Sequence, residues 1–150
     1  GLGGGFPVGA MLAKAGLAEA FGPGSHASTF GGTPIAMAAV KATIETMLAE
    51  NAPQRAAESG EYLKSRLKEK LAGSPIVREV RGLGLIVGIE CAEPVAGFVS
   101  EIHRRGLLVV TAGPNVIRLL PNLLVTREEI DHAVDILAGV LTGQAAAAQS

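Results

Sequence analysis

The sequence predicts an α/β protein in two parts, with a boundary near residues 50–55, and three observations carry that reading. From about residue 54 onward, apolar residues recur alternately at helical and at strand spacing, giving the order α-β-β-α-β-β-α. The first fifty residues instead combine two glycine-rich loops with one helix that is apolar on every side. Finally, 48% hydrophobic and 18% charged residues with a net charge of −1 describe a chain able to bury a core, unlike a disordered one.

Gly1–Gly9 holds four glycines in its first five residues and is expected to be a loop. A short strand is predicted over Val8–Ala13, and a short helix or turn over Lys14–Phe21, ended by Gly22-Pro23-Gly24. Ser25–Gly32 is a second polar loop. Thr33 is placed to cap the helix that begins at Pro34 and runs to about Glu50, since proline suits the first helical position. Its first two turns are apolar all round, which calls for burial on every side by a surface outside these residues. Asn51-Ala52-Pro53 interrupts the pattern.

Ala56, Gly60, Leu63, Leu67 and Leu71 recur at three- and four-residue steps and predict an amphipathic helix over about 54–72. Its charged side reads as a solvated face. After Gly73-Ser74-Pro75, strands are predicted at Ile76–Val80 and Leu85–Glu90, reversed through Arg81-Gly82-Leu83-Gly84. Pro94–Arg105 fits a helix burying Val95, Phe98, Val99 and Ile102, closed by Gly106. Short strands follow at Leu107–Val110 and Val116–Leu119. Thr126 and Glu129 have the spacing of a capping box for a last helix, with Ile130, Ala133, Val134, Leu137 and Leu141 inward. Gln144–Ser150 reads as a frayed tail.

The near-neutral charge offers no electrostatic pull toward nucleic acid or an anionic membrane. Aromatics at 3% are too few for base-stacking platforms. Cys91 stands alone, so no disulfide framework or cysteine-rich zinc site is expected, and a cytoplasmic setting is the natural reading. His26, His103 and His132 lack metal-ligand spacing, and no apolar run reaches the roughly 20 residues of a membrane span.

Gly1–Gly9 lacks the lysine and serine or threonine of a phosphate-binding P-loop. Gly82–Gly88 leads into a strand where a dinucleotide fingerprint would open a helix. Both read as structural. Ser28 and Thr29 are a different case: two adjacent hydroxyls precede Gly31-Gly32 and a helix start, which suits either a bound anion or ordinary loop hydrogen bonding. Arg118, between Ile117 and Leu119, either points to solvent from a half-buried strand or forms a carboxylate clamp, for which its planar fork is suited. His26 reads as a loop hydrogen-bond partner.

Four segments in order resemble the class-III aminotransferases, closest to their acetylornithine branch. They are Gly-Leu-Gly-Gly-Gly-Phe-Pro-Val-Gly-Ala-Met-Leu-Ala at 1–13, His-Ala-Ser-Thr-Phe-Gly-Gly-Thr-Pro at 26–34, Val-Arg-Gly-Leu-Gly-Leu-Ile-Val-Gly-Ile-Glu at 80–90 and Asn-Val-Ile-Arg-Leu-Leu-Pro-Asn-Leu at 115–123. The likeness runs from residue 1 to about 142. It implies a fold-type-I pyridoxal 5'-phosphate enzyme: residues 1–52 the end of the large cofactor domain, residues 53–150 the small C-terminal α/β domain, and a homodimer as the assembly.

The same resemblance assigns the cofactor phosphate of the neighbouring subunit to Thr29 and a substrate contact to Ser28. It places Arg118 toward the substrate carboxylate or a shielding glutamate. The lysine that holds the cofactor would precede Gly1, so the catalytic set is expected to be empty here and these residues inactive alone. Lys14, Lys41, Lys64, Lys68 and Lys70 do not match its motif. Ala27, Thr33 and Asn122 depart from the commoner Gly, Asn and Pro, which loosens the branch assignment more than the chemistry.

The reaction implied is ping-pong transamination between an amino donor and 2-oxoglutarate. The donor is left open among acetylornithine, succinylornithine, ornithine, a lysine-carrier conjugate and 4-aminobutyrate. A non-catalytic assembly module is the competing reading.

Overall fold

The computed structural model describes residues 1–143; the tail expected at Gln144–Ser150 lies outside the described residues. The chain divides into two compact units, Gly1–Asn51 and a second from Ala52 onward.

In the first unit, two tight turns are closed by Gly4 N–H on Gly1 O and Phe6 N–H on Gly3 O, each at 3.0 Å. A Cβ at Gly3 would sit 2.5 Å from the Phe6 carbonyl oxygen, so glycine is required there. Val8–Ala13 is irregular where a strand was expected. No strand lies beside it among the described residues of this unit, and an extended segment without a ladder partner does not become a sheet. A 3₁₀ helix covers Ala15–Ala20.

Helix α1 spans Pro34–Ala49, with proline in its first turn as predicted. Its burial departs from the sequence pattern: Ala36 is its one fully buried residue, while Ile35, Met37 and Leu48 are exposed. The residues that would cover an all-round apolar helix are not supplied by this unit. Asn51 adopts φ 48°, a left-handed conformation that ends α1 before the next helix begins.

The second unit follows the predicted order. Helix α2 covers Ala52–Lys70, strands β1 and β2 cover Val77–Leu83 and Ile86–Cys91, and α3 covers Ala96–Arg104. Strands β3 and β4 cover Val110–Thr111 and Val116–Leu119, and α4 covers Arg127–Leu141. The strands form one antiparallel sheet in the order β1-β2-β4-β3.

Helix α3 and strand β2 begin one or two residues later than expected, and two boundaries differ more. Arg81–Leu83 belongs to β1, and the reversal is made by Gly84-Leu85, with Gly84 at φ 52°. Strand β3 is only two residues long. Leu107 N–H bonds back to Ile102 O, while His103 Nε2 lies 2.8 Å from Val109 O, within reach of a hydrogen bond when that nitrogen is protonated, so Leu107–Val109 is tied to α3 and not to a ladder.

The three helices cover one face of the sheet. Val80, Val87, Ile89, Ile117 and Leu119 point into a core shared with Leu63, Leu67, Ile102, Val134 and Leu137. Fully burying such a side chain contributes roughly 1.5–3 kcal/mol, and this cluster is the main source of the unit's stability. Alternate residues of the same strands face outward on the other side, which no helix of this unit covers. The Thr126 capping box is present in both halves: Glu129 N–H donates to Thr126 Oγ1 at 3.2 Å, and Thr126 N–H to Glu129 Oε2 at 2.8 Å.

Candidate functional site

The loop before α1 is built around serine and glycine. Ser25 Oγ donates to Gly22 O at 2.7 Å, and Gly31 N–H donates to Ser28 O at 3.1 Å, closing a turn over Ser28–Gly31. Gly32 then takes φ 69°, which an L side chain would resist. Ser28 and Thr29 stand exposed at the crest of that turn. Among the described residues, neither hydroxyl makes a hydrogen bond. Thr33 occupies the N-cap of α1, but its side chain makes no capping bond, contrary to expectation. His26 is exposed and makes no loop hydrogen bond among the described residues, so the role expected of it is also absent.

Two adjacent free hydroxyls beside a glycine pair that leaves the backbone open are a donor set suited to phosphate oxygens. That is the observation on which a fit to pyridoxal 5'-phosphate rests.

Arg118 lies in the second unit, at the centre of β4. Its neighbours Ile117 and Leu119 are buried at 0% and 6% exposure, which turns Arg118 to the uncovered face. Directly opposite it are Gly88 on β2 and Val110 on β3. Gly88 in turn pairs with Arg81 on β1, so one cross-strand row reads Arg81, Gly88, Arg118, Val110. The two arginines differ in their commitments. Arg81 is held by Glu79 at 2.8 Å and by Glu90, hydrogen bonds that keep its pKa raised, Glu90 contributing most. Arg118 makes no hydrogen bond or ion pair among the described residues. Its fork is free to take a carboxylate.

Sequence reasoning did not find this row. Arg81 was assigned to a turn, and a residue's face in a sheet can be read only once its strand is known. Nor did it find the polar seam between α2 and α4. There Asp131 accepts from Tyr62 Oη and from Arg66 Nε, both at 2.8 Å, and Lys70 pairs with Asp135 at 3.0 Å. Part of the charged face read as solvated is thus a helix-helix contact.

The remaining reactive groups serve structure. Cys91 is fully buried, and burial, with smaller contributions from Glu93 and Glu90, pushes its thiol up to about 11. Lys41, Lys64 and Lys70 are paired with Glu45, Glu61 and Asp135. Lys14 and Lys68 are exposed. An apolar hollow of about 110 Å³ under Leu107 and Leu120 has Glu129 as its ionisable lining residue, and that carboxylate already serves the capping box. Among the described residues no cluster could hold a metal ion, and no helix is long and apolar enough to cross a membrane.

With that geometry in place, the chain belongs to the class-III aminotransferases, whose family pattern matches residues 1–141. The family is one of pyridoxal-phosphate-dependent transaminases. Among curated relatives, the acetylornithine aminotransferase of Bacillus subtilis (strain 168) is 51% identical over 149 residues, 99% of this chain and 38% of the relative. That of Methanothermobacter thermautotrophicus is 46% identical over 94% of this chain and 36% of its own length. Among solved structures, an ornithine delta-aminotransferase of Plasmodium falciparum superposes with a TM-score of 0.80 at 31% identity, covering 87% of this chain and 35% of that one. An acetylornithine aminotransferase from Elizabethkingia anophelis gives a TM-score of 0.78 at 28% identity, with the same two coverages of 87% and 35%. The chain therefore spans under two fifths of the length of these relatives.

Proposed function

We propose that these residues are part of a longer, cytosolic, homodimeric enzyme that moves the terminal amino group of N-acetylornithine to 2-oxoglutarate, a step of arginine biosynthesis. In this reading residues 1–52 close the large cofactor domain and residues 53–150 form the small domain. The observation that carries it is the 51% identity to an acetylornithine aminotransferase across 99% of the chain. The uncommitted hydroxyls of Ser28 and Thr29 and the unpaired Arg118 are consistent with it.

Pyridoxal phosphate, when bound, supplies an electron sink for the carbon that loses a proton. The work of this chain is binding and orientation. Thr29 would hold the phosphate of the neighbouring subunit's cofactor, Ser28 would contact substrate, and Arg118, whose planar fork suits a carboxylate, would hold that of the substrate or of a shielding glutamate. In this reading the lysine that would hold the cofactor is not among these residues.

The test is a steady-state comparison of amino donors with the full-length holoenzyme and 2-oxoglutarate. The highest kcat/KM is expected for N-acetylornithine, ahead of ornithine, N-succinylornithine and 4-aminobutyrate. A higher value for any of the other three would replace the substrate assignment, and no glutamate from any donor would remove the reaction itself.

A further inference from the structure

The geometry points to Gly88 as a positioning residue for substrate binding: by carrying no side chain, it keeps open the place on the sheet where a carboxylate meets Arg118. The inference rests on the carboxylate-binding role proposed above for Arg118.

Glycine is costly in the middle of a strand, because it packs nothing and loses much backbone freedom on folding. Two other glycines of this unit are held by backbone clashes. A Cβ at Gly60 would lie 2.0 Å from Gly84 O, and one at Gly82 would lie 2.2 Å from Ile86 O. Gly88 meets no backbone clash of that kind. Its φ is not in the left-handed region, and the nearest atoms to an added Cβ are Val116 Cγ1 at 3.3 Å and Arg81 O at 4.0 Å. A small shift of the Val116 side chain would admit alanine. A larger side chain at 88 would also stand in the way of anything approaching from outside the sheet, and a glycine inside a strand often marks such an approach.

The surroundings indicate its chemistry. Gly88 is the direct cross-strand partner of both Arg118 and Arg81, so it stands between two arginines in one row of the sheet. Arg81 is already neutralised by Glu79 and Glu90, while Arg118 has no ion-pair partner among the described residues, leaving one uncompensated arginine on the strand next to Gly88. The next row outward pairs Leu83 with Ile86, exposed at 88% and 59%. An anionic group beside an apolar edge suits an aliphatic carboxylate, with its oxygens on Arg118 and its methylenes toward Leu83 and Ile86. Directly opposed residues have Cβ atoms roughly 4.5–5.5 Å apart, so a valine at 88 would stand in the path of the carboxylate and not of the sheet.

The experiment uses the full-length holoenzyme with Gly88→Ala, Gly88→Val and Arg118→Ala, and reads KM, kcat, thermal midpoint and the inhibition constant of glutarate. Glutarate carries two carboxylates and nothing that can be transaminated. For Gly88→Val, KM and the glutarate constant are expected to rise at least about tenfold, the size expected for a charge-assisted contact, with kcat within about twofold and the midpoint unchanged. Gly88→Ala should fall between the parent and valine. If Arg118→Ala weakens glutarate but Gly88→Val does not, the Gly88 inference fails while the role of Arg118 stands. If Arg118→Ala leaves glutarate binding unchanged, the underlying reading fails instead. A lowered midpoint with kcat reduced and glutarate binding intact would make Gly88 a folding requirement and overturn the inference.

Discussion

Tyr62 on α2 donates its hydroxyl proton to Asp131 on α4 at 2.8 Å, joining two helices whose contributing residues lie 69 positions apart in the chain. Arg66, one turn after Tyr62, donates its Nε–H to the other oxygen of the same carboxylate. The Arg127 guanidinium lies 5.0 Å from the centre of the Tyr62 ring, adding a cation-π contact from the start of α4. The seam therefore fixes how α4 lies on α2, alongside the apolar core that Leu63, Leu67, Ile130 and Val134 share.

This seam gives a pH prediction. The Arg66 hydrogen bond first, and the Tyr62 bond second, hold the Asp131 carboxyl below its ordinary pKa. A carboxyl lowered in the folded state adds stability that is complete above about pH 4, its unfolded value, and is lost as pH falls through the folded pKa. Asp131→Asn should lower the thermal midpoint at pH 7, and its gap from the parent should shrink as pH falls below about 4. A gap of constant size over that range, measured by circular dichroism, would rule out the linkage.

Gly60 gives a packing prediction. It lets α2 approach the β1-β2 turn so closely that a Cβ would meet the Gly84 carbonyl oxygen at 2.0 Å. Both sides are backbone, so neither can rotate away. Gly60→Ala would normally gain helix propensity, yet here it should destabilise the second unit by about 1–3 kcal/mol through overpacking. Urea denaturation reads this directly, and an increase in stability would show that helix and turn do not meet as described.

Thr126→Ala should cost about 0.5–2 kcal/mol, because it removes the acceptor for Glu129 N–H at the start of α4. Thr126→Ser should retain most of that stability, since the hydroxyl remains. Equal losses in the two variants would assign the effect to the threonine methyl and not to the cap.

Most of the second unit was legible because its elements are locally specified. The Thr126/Glu129 box, the leucine spacing in α2 and the Ile117-Arg118-Leu119 alternation each carry their structure within a few residues. Errors arose where a distant partner decided the outcome. Arg81–Leu83 looked like a turn because glycines bracket Leu83, but pairing with β2 draws it into the strand. Leu107–Val109 has strand composition, yet it is tied back to α3 through Ile102 and His103. The Val8–Ala13 strand lacked a neighbour to pair with. At the site, Ser28, Thr29 and Arg118 could be singled out from residue type and context, whereas Gly88 could not. Its meaning depends on the register that sets it against Arg118.

The central claim is that these residues bind and orient while the covalent chemistry belongs to a lysine outside them. The most direct measurement is borohydride reduction of the 150-residue chain after incubation with pyridoxal phosphate, followed by peptide mapping. The account predicts scattered, substoichiometric labelling of exposed lysines. Stoichiometric labelling of one residue among Lys14, Lys41, Lys64, Lys68 and Lys70 would contradict it.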